Sequence, residues 1–584
     1  MAVSSRLAFC FAWLLLVSPV IEAASPFSTF KWSDRTYGPD GPWYAVTVEL
    51  GSKRQRVDLY PGDRWASTIL LDNVCDNKTV SDVCYAERAG MFDSNRSTSN
   101  APGFYNTWVT STNFDTNLGT KLHRVMGDSV VIGATEPTRN ISFDAVSEAY
   151  TTYPNGKNYP VFVGTLALGA PRRYHIVERW RFNMVGAYLY HQAAGESQLP
   201  SYSYGMHIGS VTLDVPPSLI LGGYDRNRVL GNVSRQPVAQ DSGGTGALRI
   251  KMTDITIGVA GGASPFEESS YQGLLQRDDL SDPKTSQAVE ADLEPVKPYL
   301  YLPKTTCDKI AARLPVTFDP GLGLYFWDTK DPQYNRIVGS AAYLGFQFYG
   351  NSSNSNKLEV KVPFSLLSLT LQEPLVEQNT SYFPCFPSDS DPVILGRAFL
   401  QAAFIASNWH DTSGTGEWYL AQAPGPAVAS TPEVTVIEPE DSTLAASSDT
   451  WESSWADHWG LELSDAGADP SNAEPSSTEG MSTGAKVGAG VGAGVGGLFL
   501  IGAVVAVWWL VRRRHRQREQ AQALAARGAA AGGRPPHSSD SKHLRELDGE
   551  GLPHEMHSST ICEAPHSDTG KTKQPQQPER FELA

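Results

Sequence analysis

Val487–Val511 runs for 25 residues without a charged side chain, and this run constrains the chain more than any other. A segment of that length reaches across the hydrocarbon of a bilayer. Inside lipid only a structure that satisfies its own backbone survives, so the run predicts a single transmembrane helix. Trp508 and Trp509 lie near its end, where interfacial aromatics belong, and Arg512-Arg513-Arg514-His515-Arg516 follows. That basic cluster places 512–584 in the cytosol, and its polar, Pro- and Gly-containing composition predicts a disordered tail. Gly488, Gly492 and Gly496 recur at four-residue spacing, as do Gly490 and Gly494. The spacing permits two such helices to pack closely, so a homodimer through these glycines is an expected partner state, beside the membrane itself. A long charged tail beyond the run excludes a lipid-anchor signal.

The N-terminus has a secretory pattern. Arg6 supplies the positive charge, Leu7–Val20 the apolar segment and Ile21-Glu22-Ala23 a small-residue cleavage site. Residues 1–23 are read as a signal peptide, which makes the chain type I, lumenal at its N-terminus, and destined for the cell surface through the secretory pathway. Disulfides form in that compartment. Cys75, Cys84, Cys307 and Cys385 remain once Cys10 and the tail's Cys562 are set aside. Four cysteines allow three pairings; the favoured one joins Cys75 to Cys84 across a small loop and Cys307 to Cys385 across a long one. Asn-x-Ser/Thr sequons begin at Asn77, Asn95, Asn140, Asn232, Asn351 and Asn379, all between the signal and the apolar run, which predicts a glycosylated outer surface. The net charge of -16 argues against a nucleic-acid partner. No Cys/His cluster or His-Glu-x-x-His motif points to a metal, and no cofactor is expected.

From Trp43 to about Ala421 the pattern is of short strands. Val46–Leu50, Val57–Tyr60, Ser129–Ile132, Pro160–Val163, Ser218–Leu221, Arg249–Ile257, Tyr299–Leu302 and Ala402–Ala406 are apolar or β-branched runs, mostly bounded by Gly, Asp, Asn or Pro. Thr306–Arg313 reads as a short helix with a Thr cap. A mostly-β region of roughly 380 residues is large enough to divide in two. Residues 424–486 change character: Ser, Thr, Pro, Asp and Glu dominate, and no Lys or Arg occurs between Arg397 and Lys486. Such a composition predicts an extended, disordered stalk. Trp451–Trp459, read as WESSWADHW, is unusual in a stalk and suggests a partner contact.

Asp292–Pro303 is the stretch that bears on chemistry: a polar segment running into Tyr299-Leu300-Tyr301-Leu302 and ending at a proline. A carboxylate just before such a strand sits at the rim of a core, where burial shifts its pKa. Glu294 is that carboxylate.

Several motifs, in order, resemble those of the pepsin-like aspartic peptidases, especially membrane-anchored fungal members. Gly51-Ser52-Lys53-Arg54-Gln55 resembles the Gly-Thr-Pro-Pro-Gln that leads into the first active-site strand. Gly164-Thr165-Leu166-Ala167-Leu168-Gly169 resembles the Gly-x-Leu-Gly-Leu-Gly turn. Ser218–Asp225 resembles the Leu-x-x-Gly-Gly-x-Asp strand end, Pro298–Pro303 with Cys307 the segment after the second catalytic Asp, and Ile394–Leu400 the closing Leu-Gly-x-x-Phe-Leu. The resemblance implies a bilobal pepsin-like ectodomain, with an N-terminal lobe at 24–232 and a C-terminal lobe at 233–423. The family's usual disulfides agree with the favoured pairing. It also implies an inter-lobe cleft for a peptide, protein or glycan ligand.

The family's chemistry needs two carboxylates, one from each lobe in Asp-Thr/Ser-Gly. One is ionised and activates water; the other is protonated and polarises the scissile carbonyl. This chain departs from the pattern at both places. Counted from Gln55 the first Asp falls on Gly62; counted back from Thr68–Leu71 it falls on Asp63. Arg64 or Trp65 then fills the place of the motif's glycine. The second Asp falls on Glu294, followed by Pro295 and Val296, with Asp292 two residues away on the same strand face. A glutamate is one methylene longer, which catalytic geometry tolerates poorly. Two literal matches mislead: Asp568-Thr569-Gly570 lies in the tail, and Asp241-Ser242-Gly243 in a Gly-rich loop ahead of the second site. The expected function is a surface binding or sensor module with a catalytically impaired peptidase-like domain. The alternative is an active aspartic-type endopeptidase using Asp63 and Glu294.

Overall fold

The computed structural model describes residues 27–63, 67–99, 109–114, 119–132, 137–168, 174–177, 180–183, 199–239, 246–276, 288–351, 353, 355–409 and 416–459. The expected signal peptide, the Val487–Val511 run with its expected transmembrane helix, and the 512–584 tail lie outside them. Among the described residues no helix is long and apolar enough to cross a membrane.

The chain is mostly β, as its short apolar runs predict. Residues 32–168 build a nine-stranded sheet in which Gln55–Asp63 pairs parallel with Gly164–Ala167, and Gly164–Ala167 pairs antiparallel with Thr68–Leu70. Residues 249–395 build a seven-stranded sheet with the same local arrangement. There Val289–Leu293 pairs parallel with Val393–Leu395, which pairs antiparallel with Leu300–Leu302. In each half a strand, a turn and a second strand therefore embrace a third strand from far along the chain. Both central strands carry small or apolar residues throughout, as a strand buried on two faces must.

A third sheet belongs to both halves. Its six antiparallel strands run in the order Ser28–Thr29, Ser218–Leu221, Ser203–His207, Ala403–Asn408, Glu417–Gln422, Leu230–Pro237. The expected division at 232/233 falls inside its last strand. A buried polar cluster beside it joins His207 to Arg228 and Asp225. Arg228 donates to Asp225 at 3.1 Å, and a second guanidinium nitrogen lies 3.5 Å from His207 Nδ1. Arginine can only donate, so His207 must accept at Nδ1 and carry its proton on Nε2, which meets the Gln401 carbonyl at 2.9 Å. Burial and the Arg228 charge push the His207 pKa down to about 3.

The remaining sequence expectations divide. Both disulfides are present, Cys75–Cys84 and Cys307–Cys385. The helix near Thr306 spans Lys304–Ala311, with Pro303 at its cap position. Thr306 is not the cap: it is buried within the helix and bonds the Gln276 backbone in both directions, at 2.8 and 2.9 Å. A second helix, Pro332–Val338, escaped the sequence reading although Asp331-Pro332 is a cap followed by a proline at the first turn.

The disordered stalk needs correction over its first half. Residues 424–459 fold back as a strap. Val434–Val436 pairs antiparallel with Gly223–Asp225, and Ile437 and Leu444 are buried with Tyr224, Phe404 and Tyr419. Thr450 then caps the helical turn Trp451–Ser454 with a full capping box. Trp451 and Trp455 are buried, and Trp455 stacks on Trp459 at 4.8 Å. Lys361 lies 4.8 Å over the Trp451 ring and 3.0 Å from Glu452. Gly425 leaves the space that Trp455 fills; a Cβ there would come within 2.6 Å of the indole. Composition averages over a window, whereas a strap added to an existing core needs only a few apolar anchors.

Two predictions follow from this packing. Trp455→Ala removes a buried indole and should cost about 3–5 kcal/mol, read as a lowered midpoint in chemical denaturation; a chain ending at Gln422 should lose at least as much. The second concerns acid. The His207 pKa is depressed in the fold, so the unfolded chain alone takes up a proton as pH falls below about 6.5. Stability should therefore drop by about 1.4 kcal/mol per pH unit from there toward pH 3, and His207→Gln should flatten that slope in urea midpoints measured across pH.

Candidate functional site

The two turns that interrupt the paired arrangements meet each other. In the N-terminal half, Leu166 pairs with Pro61 and Ala167 with Asp63, so Gly62 is the extra residue of a bulge. Its φ of 111° lies in the region that only glycine enters without strain. A Cβ at this position would stand 2.6 Å from both Cβ and Cγ of Pro295 and 3.2 Å from the Met206 methyl. The ungapped counterpart of the first catalytic Asp therefore has no room for a side chain, because the proline of the other half occupies it.

Arg397 closes the same junction. It is buried at the start of the turn Arg397–Leu400, which follows the strand Val393–Leu395. Its guanidinium carbon lies 4.2 Å from the Tyr60 ring centre and 5.1 Å from that of Trp43. It also donates to the carbonyls of Val296 at 2.8 Å and Pro295 at 3.4 Å. One cation thus joins two aromatic rings of the N-terminal half to the turn of the C-terminal half. The space left beside it, lined by Trp43, Tyr60, Pro61, Ile208, Pro295 and Arg397, is about 10 Å³. That is the least that holds one water.

The predicted carboxylates are distributed as follows. Asp292 is buried and faces Arg249, its direct neighbour across the ladder, which grips it with two bonds of 2.7 and 2.9 Å. Arg249 in turn borders a separate hollow beside Lys251 and Tyr349. Asp292 is thus a structural ion pair. Glu294 begins the turn: its amide donates to Leu395 at 3.2 Å, its carbonyl accepts from Lys297 at 3.0 Å, and the residue is half-buried. Asp63 ends its strand opposite Ala167; its side chain, together with Arg64 and Trp65, lies outside the described residues. The fold thus brings the Gly62 turn and the Glu294–Pro295 turn together and sets Asp292 apart.

In the sequence Arg397 stands out only as part of the Ile394–Leu400 motif. The available signal was a lone cation in the otherwise apolar run Ile394–Leu400. Four residues before Gly62, Asp58 accepts from Ser33 at 2.5 Å, Tyr37 at 2.5 Å and Thr47 at 2.6 Å and lies 3.4 Å from Arg56. Burial, and the bond to Asp58, raise the Tyr37 phenol to about 12. Saturated in this way, Asp58 is a scaffold group. Across the halves, Tyr153 and Tyr299 share a hydroxyl bond of 2.8 Å, and Tyr382 donates to the Asp40 carbonyl at 2.5 Å. Among the described residues no three His, Cys, Asp or Glu side chains gather as a metal site would require.

Comparison with known protein families finds no match, and neither does comparison with curated proteins.

The contact of Gly62 with Pro295 is testable by a double-mutant cycle. Gly62→Ala should destabilise by about 1–3 kcal/mol through overpacking and backbone strain. In a Pro295→Gly background the added cost should shrink, giving a coupling of about 0.5–3 kcal/mol in denaturation midpoints.

Proposed function

We propose that the region before the membrane-spanning run is a pepsin-like, two-lobed domain that binds a peptide, protein or glycan ligand without cutting it. The domain is held at the cell surface as a single-pass, glycosylated membrane protein. The single observation that carries this reading is the Gly62–Pro295–Arg397 junction. In the family that the motifs resemble, the two turns meet around a water held by two carboxylates sharing one proton. Here the corresponding turns meet through a glycine, a proline and a buried guanidinium.

The charge argument points the same way. A shared proton requires one neutral carboxyl beside one ionised one. A fixed cation within about 6 Å favours the ionised form of any carboxylate near it. Arg397 bonds the carbonyls of Pro295 and Val296, immediately after Glu294, so a buried cation stands at the turn where the motif would place its second carboxylate. The repeated strand arrangement, the sheet common to both halves and the two disulfides support the family likeness without bearing on catalysis.

The test is a peptide-library digestion by the full chain from acid to neutral pH. No cleavage should be detected, and Glu294→Ala and Asp63→Ala should leave that result unchanged. Cleavage that disappears in either variant and with an aspartic-peptidase inhibitor would make this an enzyme with an altered pair of carboxylates.

A further inference from the structure

A groove of about 670 Å³ opens between the two halves and shares no lining residue with the Arg397 cavity. Thr79, Tyr85, Lys157 and Tyr159 form one wall; Glu373 and Glu377 stand on the other. Tyr85 is held face to face against Phe162 at 4.5 Å, and its phenol is raised by burial and by the charge of Glu373 across the groove. Aromatic faces beside carboxylates and an ammonium suit a ligand with both C–H faces and hydroxyls. A carbohydrate has that chemistry.

The chain carries a carbohydrate acceptor at the rim. Asn77-Lys78-Thr79 is a sequon, and its third residue lines the groove. Asn77 Oδ1 accepts from the Thr79 amide at 3.0 Å and from its hydroxyl at 2.6 Å. Its Nδ2 donates to Glu148 at 2.7 Å. Glu148 lies two residues before Tyr150, which pairs with Pro160 in the ladder that supplies the Lys157–Tyr159 wall. The Cys75–Cys84 disulfide closes the loop that holds the sequon.

We propose that this groove is the seat of an N-linked glycan on Asn77, lying against both halves of the domain. In the modification, Nδ2 of Asn77 bonds to the anomeric carbon of an oligosaccharide and loses one of its two protons; the pyrophosphate-linked lipid of the donor leaves. One N–H remains and can still donate to Glu148, which orients the first sugar toward the wall. Asn95 and Asn232 are exposed sequons whose residues do not line the groove, and Asn379 is exposed two residues beyond Glu377.

The experiment is site-resolved deglycosylation of the full-length chain from a glycosylating secretory host, using an N-glycan amidase and glycopeptide mass spectrometry. In the native protein, release at Asn77 should be at least tenfold slower than at Asn95 and Asn232. After denaturation all sites should release alike. Tyr85→Ala and Glu377→Ala, one from each wall, should each bring Asn77 toward the rate of the exposed sites. Glu377 is exposed, so its truncation tests the groove with the fold retained, which an unchanged melting temperature checks. An unoccupied Asn77, release as fast as at the exposed sites, protection that survives both variants, or protection at Asn379 instead would each overturn the proposal.

Discussion

A buried guanidinium cannot stand alone, because the cost of removing it from water must be offset by partners. Arg397 has two ring faces and two carbonyls, with its Nε left unbonded, and these partners come from opposite halves of the chain. The arrangement therefore fixes Trp43 and Tyr60 against the turn at Pro295. It also explains the glycine at position 62, since drawing the two turns together leaves that residue no space for a side chain. In physical terms the junction is a packed contact of a glycine, a proline and one buried cation.

The same principle of joining distant segments recurs outward from that point. The six-stranded sheet takes strands from both halves. The hydroxyl bond between Tyr153 and Tyr299 and the bond from Tyr382 to the Asp40 backbone tie the two halves elsewhere. The strap at 424–459 adds a strand to Gly223–Asp225 and then packs the Trp451 indole against Tyr343 and Lys361 of the seven-stranded sheet. The groove at Tyr85 and Glu377 lies along the same boundary, so a glycan seated there would add one more tie.

The sequence by itself determined the β character of this chain, most strand positions and both disulfides, because alternation, turn residues and the oxidising context act locally or through chemistry that needs no coordinates. It also singled out Gly62 and Glu294, whose turns the fold brings together. Tertiary structure alone decided the rest. Asp292 looked like an alternative catalytic position until its cross-strand neighbour Arg249 claimed both oxygens; the two are 43 residues apart, and only register brings them together. Arg397 read as packing because a lone cation in an apolar run has no function until its neighbours are known. The strap reads as disordered because averaged composition hides a few anchors, and whether an anchor finds a core depends on a surface built by residues as far apart in the chain as Tyr224 and Tyr419. Pattern carries what each segment tends to become; only the fold decides which charges and side chains end up face to face.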